Sequence, residues 1–304
     1  MKAPSLPNLE NYVPKDTIFV EPAENSHMGL SVPEVIFTYG NKKTHIKKMP
    51  YIFPNLIKAI FNAVISYRSL RKNPAQAQKK ADKVFFQNLE NYARELGCTN
   101  IGYTEVSREY IFKNKKILFK YAIVLPMNMN KDKTNQAPSI NAGKEVWRTY
   151  AKLGSIVNHI ARFMRERGYK AEAGPAVGGE TNYPLLAQKA GLGYIGKHGM
   201  LISKGNGPSQ RIAVVYTDIE NLPFTDSSNY DWIPSFCEKC NRCVSQCPAQ
   251  AIYKETKLLA DSSHQHIDYT KCAIPFSKSM GCSVCIKECT FFKSDYDKIR
   301  KQVI

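Results

Sequence analysis

The run FCEKCNRCVSQCP, residues 236–248, decides how this chain is read. Its thiols are spaced Cys237-x2-Cys240-x2-Cys243-x3-Cys247, and Pro248 follows the fourth. That spacing binds iron-sulfur clusters: three cysteines hold one 4Fe-4S cube and the fourth reaches a neighbouring cube. Two-residue gaps let one tight loop aim three thiolates at the same face, and the proline turns the chain away. Zinc asks instead for two separated C-x2-C pairs.

Cys272-x9-Cys282-x2-Cys285-x3-Cys289 supplies four more thiols. The crosswise exchange of two-cluster ferredoxins groups Cys237, Cys240, Cys243 and Cys289 on one 4Fe-4S cluster, and Cys272, Cys282, Cys285 and Cys247 on the other. The first gap of this second half is long, and Thr290 stands where such runs carry proline. Eight of the nine cysteines thus fall between residues 237 and 289; the ninth, Cys98, reads as a small buried hydrophobe.

The opening run MKAPSLPNLENYVPKD has neither an apolar secretion core nor a twin-arginine pair, so the expectation is a cytoplasmic chain whose thiols stay reduced. A composition of 43% hydrophobic and 23% charged residues over 304 positions excludes wholesale disorder, collagen and a multipass membrane protein. The net charge of +17 is uneven: residues 41–80 hold ten Lys or Arg and no acid. Such a block suits tRNA, an anionic membrane surface or an acidic protein partner, or is simply a solvated basic face. Part of the excess offsets the negative charge of thiolate-bound clusters.

Working towards the N-terminus, RIAVVYTD (211–218) reads as a strand, 182–190 as a helix, 169–173 as a strand and 142–167 as a long helix ended by Gly168. Further strands are expected at 118–125 and 99–104, and a helix over 80–96 runs into Gly97. Residues 53–72 place Leu56, Ile57, Ile60, Phe61, Val64 and Ile65 at helical spacing, an amphipathic helix expected to pack on the main domain. Residues 1 to about 50 show no sustained period and are assigned no element. The fold expected is α+β, with boundaries at 1–80 (N-terminal extension with the basic helix), 81–228 (α/β cofactor domain) and 229–304 (ferredoxin-like domain with two 4Fe-4S clusters).

Gly191, Gly193 and Gly196 fit the dinucleotide fingerprint GxGxxG, with Asp218 downstream. The context argues against a nicotinamide site, because Tyr183–Ala190 reads as a helix where a strand is required. The run AQKAGLGYIGKHGMLISKGNGPSQRIAVVYTDIENLPF (187–224), followed by FCEKCNRCVSQCPAQAI, instead resembles the corrinoid iron-sulfur reductases, namely the reductive dehalogenases and epoxyqueuosine reductases. The likeness extends weakly back through 119–130, APS (137–139) and RGYKAEAG (167–174), and so covers about residues 80–292.

That resemblance implies a nitroreductase-like α/β domain binding a corrinoid (cobalamin, base-off) without a protein ligand to cobalt, and no DxHxxG motif is present to supply one. It makes Asn182, Gly191, Gly193, Gly196, Lys197 and Gly207 the expected cofactor-binding residues. Reductive dehalogenases use a tyrosine beside a lysine or arginine as proton donor, and Tyr150 with Arg211 is the positional match; packing beside Trp147 is the competing role for Tyr150. Epoxyqueuosine reductases carry a catalytic aspartate before the AGLG run, whereas GPAVGGETNYPLL (174–186) offers only Glu180. The activity implied is reductive cleavage of a carbon-to-leaving-group bond in a small-molecule substrate, fed by a low-potential donor such as ferredoxin or flavodoxin. Epoxyqueuosine reduction on tRNA is one alternative. An electron-transfer protein that reduces a partner's corrinoid is another.

Overall fold

The computed structural model describes residues 9–29, 32–225 and 228–303. The helices are α1 (Val32–Tyr39), α2 (Lys42–Lys48), α3 (Phe53–Arg68), α4 (Lys83–Leu96), α5 (Lys131–Asn135), α6 (Ile140–Arg165) and α7 (Tyr183–Lys189). After these come α8 (Ile233–Cys240), α9 (Arg242–Ser245), α10 (Tyr269–Ser279), α11 (Val284–Lys287), α12 (Thr290–Lys293) and α13 (Tyr296–Lys301). The strands are β1 (Gly102–Glu105), β2 (Tyr121–Asn128), β3 (Ala171–Ala173), β4 (Tyr194–Ile195), β5 (Leu201–Ile202), β6 (Gln210–Thr217), β7 (Ile252–Leu258) and β8 (His264–Ile267).

β1, β2, β6 and β3 form one antiparallel sheet in the order β1-β2-β6-β3. The middle strands are nearly continuous apolar runs: Ala122 to Leu125 and Ala213 to Tyr216 are fully buried, so both sheet faces are covered. The long helix α6 starts where Ser139 accepts a hydrogen bond from the Ala142 N–H, and buries Leu153, Val157, Ile160 and Met164 against the sheet. α4 joins the same core through Phe85, Phe86 and Leu89, and ends at Gly97, whose φ of 104° supplies the left-handed cap.

α3 packs on the other side of α6. The Asn62 amide donates to the Ala151 carbonyl and accepts, through its backbone carbonyl, from the Asn158 amide. The N-terminal stretch is not irregular as expected: a 3-10 turn at Leu9–Tyr12, α1 and α2 occupy it. These pieces are too short to show a period and are held by distant partners. Ile36 and His45 are buried, and the Asn41 N–H donates to Ser277 in α10. Residues 1–8, 30 and 31 lie outside the described residues.

Beyond residue 228 a second core gathers Trp232, Ile233, Phe291, Tyr296 and Ile299, closed by Ile202 of β5. α8 and α9 are joined at Asn241, a non-glycine residue at φ 47°, and Ser283 before α11 does the same at φ 57°. These left-handed corners turn each Cys-x2-Cys run sharply enough to bring its thiols onto one side.

Candidate functional site

The thiols sort into two neighbourhoods. The space between α8, α9 and α12 is lined by Cys237, Cys240, Cys243 and Cys289 together with His198. In the second neighbourhood Cys272, Cys282 and Cys285 each have their thiol pKa raised, after burial, by other members, Cys247 among them, and Cys285 also feels Cys243 of the first. Burial pushes Cys243 and Cys272 up to about 12, so without a metal these would be neutral thiols rather than thiolates. Iron would supply the positive charge that such buried donors need. Among the described residues no three His, Cys, Asp or Glu side chains converge on a single-ion site.

Donors are already aimed at these sulfurs. The Ala251 N–H donates to Cys247 Sγ at 3.3 Å, and backbone N–H groups of Phe291 and Phe292 hydrogen-bond Cys289. Thr290, found where proline would be expected, puts its hydroxyl 3.1 Å from Cys240 Sγ. Burial holds His198 neutral at about 3; its Nδ1 accepts from the Met200 N–H, which leaves the proton on Nε2. Nε2 finds no acceptor among the described residues, and a cluster sulfide in the space that His198 lines would provide one.

A cavity of about 490 Å³ adjoins the second set of thiols, with Cys272, Ala273 and Phe276 of α10 on one wall. Tyr150 of α6 and Arg211 of β6 stand on its wall, and the Arg211 guanidinium lies 5.3 Å from the Tyr150 ring centre. Trp147 packs edge-on against the same ring at 5.8 Å, so Tyr150 has both its packing partner and its cation. Arg211 Nε is buried with no acceptor among the described residues, which leaves a donor for a bound group.

Two further cavities continue this one into a trough. Asn182 and Pro184 are shared with a cavity of about 570 Å³, which in turn shares Tyr194, Ile195, His264 and His266 with one of about 960 Å³. A trough of that extent fits a large flat cofactor with a tail, and Asn182 sits at its first junction.

Lys197 lines the cavity of about 960 Å³, whereas several of the expected glycines press against other parts of the fold. Gly193 is pressed against the Ile202 carbonyl and Gly207 against that of Phe291, so closely that a Cβ at either would overlap the carbonyl oxygen. Gly191 ends α7 at φ 69°, and Gly196 packs on Ile202. At Gly193 and Gly207 small size lets backbone approach backbone, and at Gly196 it leaves room for the Ile202 side chain. Lys197 also reaches the first thiol group: its ammonium donates to Asn241 Oδ1 at 2.9 Å, and its backbone and charge partly offset the burial that raises Cys237.

Sequence reasoning did not find the acid pair behind the cavity. Glu180 lies between the wall residues Gly179 and Thr181, buried, and accepts a hydrogen bond from Tyr67 Oη at 2.6 Å. Burial raises Glu180 to about 7 and Glu172, which accepts from the Leu118 N–H, well above the usual carboxylate range. Nothing in the spacing of residues 172 and 180 announces this pairing, because Tyr67 and Leu118 come from remote segments.

Residues 230–253 match the 4Fe-4S binding domain family. A tetrachloroethene reductive dehalogenase of Desulfitobacterium hafniense is 31% identical over 188 residues, covering 57% of this chain and 33% of the relative. An epoxyqueuosine reductase of Lactococcus garvieae is 27% identical over 158 residues, covering 46% of this chain and 43% of the relative. Among solved structures, the catabolic reductive dehalogenase NpRdhA superposes with a TM-score of 0.67 at 17% identity, over 97% of this chain and 46% of that one. The chain spans a third of the length of the dehalogenase relative, and just under half of NpRdhA. By sequence the chain is a homologue of the reductive dehalogenases and the epoxyqueuosine reductases over part of their length, and it shares the fold of NpRdhA.

Proposed function

We propose that the chain is a corrinoid-dependent reductase of the reductive dehalogenase type, acting on a small molecule in the cavity between Tyr150, Arg211 and Cys272. Its relatives are reductases, which supports an oxidoreductase activity. The observation that carries the finer reading is the meeting of Tyr150 and Arg211 on a wall that also holds a cluster-type cysteine.

Cys237, Cys240, Cys243 and Cys289 would hold one 4Fe-4S cluster, and Cys247, Cys272, Cys282 and Cys285 the other. When bound, the clusters carry single electrons, and the corrinoid in a nitroreductase-like domain supplies a reducible cobalt centre beside the substrate. The approach of Cys285 to Cys243 supports transfer between the two cysteine groups, and Cys272 brings the second to the cavity. For a halogenated substrate the carbon–halogen bond breaks, two electrons from a low-potential donor such as ferredoxin or flavodoxin enter, and halide leaves. Carbon takes its proton from Tyr150 Oη. The tyrosinate left beside the Arg211 guanidinium is reprotonated from solvent.

The test is anaerobic reconstitution with iron and sulfide, addition of cobalamin, and the cobalt EPR spectrum. Stoichiometric base-off cobalt and halide release from a halogenated phenol or alkene support the proposal. Intact clusters without bound cobalamin would favour the electron-transfer alternative. Epoxyqueuosine reduction draws support from the epoxyqueuosine reductase relatives and the basic 41–80 block. It predicts tRNA binding that weakens steeply with salt, as phosphate contacts release counterions. Glu180 does not supply the aspartate of that reaction, since it is buried beneath Tyr67.

A further inference from the structure

A surface helix ordinarily turns its apolar stripe inward and its polar residues to water. α3 is apolar on both sides. Its inner side buries Ala59, Ala63, Ser66 and Tyr67. Its outer side presents Phe53 at 50% exposure, Ile57 at 49%, Ile60 at 41% and Phe61 at 62%, spaced i, i+4, i+7 and i+8. The chain leading into it adds Ile46 and Tyr51, both more than half exposed. Six large apolar side chains within sixteen residues form a patch that an isolated chain in water has no use for.

The same stretch is basic. Lys42, Lys43, Lys47 and Lys58 are exposed among these residues, Lys144 of α6 stands 5.4 Å over the Tyr51 ring, and no acid occurs between residues 41 and 80. RNA would accept the lysines and stack on aromatic faces, but would leave Ile46, Ile57 and Ile60 in water. A bilayer surface satisfies both chemistries at once, with aliphatic and aromatic groups at the acyl boundary and ammonium groups among anionic headgroups. No described helix is long and apolar enough to cross a membrane, so the contact is interfacial.

We infer that the outer face running from α2 through α3 docks the protein peripherally on an anionic lipid bilayer. This surface is separate from the proposed catalytic cavity, and its test does not need turnover. The cluster-loaded chain would be sedimented with vesicles of phosphatidylcholine alone and of phosphatidylcholine with an equal share of phosphatidylglycerol. Binding is expected to be at least tenfold stronger on the anionic vesicles. The triple variant Lys42→Gln, Lys43→Gln, Lys47→Gln should lose about fivefold per lysine. Ile57→Glu with Phe61→Glu should abolish binding while leaving the cluster absorbance and far-UV dichroism unchanged. Phe61→Ser alone, a milder change, should lower it severalfold.

Four results would overturn the inference. One is no binding to either vesicle at low salt. Another is wild-type binding by Phe61→Ser and by the double variant. The third is release from anionic vesicles by a tRNA hairpin that the double variant binds undiminished. A lipid-free dimer that Phe61→Ser splits, with no vesicle binding, would assign the face to a second copy and likewise sink the membrane reading.

Discussion

The guanidinium of Arg211 lies 5.3 Å from the ring centre of Tyr150, although α6 and β6 place the two residues 61 positions apart. Met127 pairs with Arg211 across the sheet, which fixes the height at which the arginine leaves β6. If this pair donates the substrate proton, Tyr150→Phe should lower turnover by roughly 10²–10⁴ while the cluster spectra stay intact. Arg211→Ala should slow turnover, and Arg211→Lys should recover part of the loss. Full activity in Tyr150→Phe would remove the assignment.

Cys272 is the thiol of the second group that lines the cavity, whereas Cys240 belongs to the first and touches Thr290. Replacing either by alanine should remove about four iron atoms per chain. The consequences should differ: Cys272→Ala breaks the link next to the substrate, while Cys240→Ala leaves that link but cuts it off from the external donor. A small diffusible reductant should therefore rescue turnover in Cys240→Ala and not in Cys272→Ala. Equal rescue, or unchanged iron content, would undo the two-cluster grouping.

The Glu180–Glu172 pair gives the fold a pH dependence of defined sign. Burial lifts Glu180 from an ordinary 4.5 to about 7, beneath Tyr67 and near Tyr183 and Tyr216, with Lys115 opposing the shift. Glu172 is raised as well, with Arg165 opposing. Below pH 4.5 both folded and unfolded chains hold the Glu180 proton, and stability is greatest. As pH rises towards 7 the unfolded chain releases the proton first, so stability falls, on the order of 3 kcal/mol for this group. Glu172 extends the loss to higher pH. Urea midpoints measured anaerobically between pH 5 and pH 8 should show the decline, and Glu180→Gln should flatten it. An unflattened slope in that variant would place the dependence elsewhere.

What the sequence discloses and what it withholds differ in kind. The cysteine runs, the long helix α6 and the strands β2 and β6 are written in local spacing and unbroken apolar runs, so their existence is legible from the order of residues alone. The meeting of Tyr150 with Arg211 became an expectation only through resemblance, since nothing local links a helix residue to one on a later strand. α1 and α2 escaped because their stability resides in Ile36, His45 and the Asn41–Ser277 contact, not in periodicity. The glycines are ambiguous in the sequence: small residues signal close approach, and the spacing does not say whether a cofactor or another stretch of backbone approaches.

Gly205 and Gly207 separate those two meanings experimentally. Both have positive φ, 94° and 55°, so alanine at either costs about 1 kcal/mol of left-handed strain. Around Gly205 a Cβ meets nothing within 4 Å, and Gly205→Ala should cost little more than that strain. At Gly207 a Cβ would overlap the Phe291 carbonyl oxygen, a backbone atom that cannot swing aside. Phe291 and Phe292 donate their N–H groups to Cys289, so the displacement falls on a sulfur of the first thiol group. Gly207→Ala is therefore expected to cost about 2–4 kcal/mol and to alter the EPR line shape of the cluster at Cys289. Cobalamin binding in the trough beside Asn182 should persist in whatever fraction remains folded. The reverse pattern, lost cobalamin affinity with unchanged stability and cluster spectrum, would return Gly207 to a cofactor-contacting role.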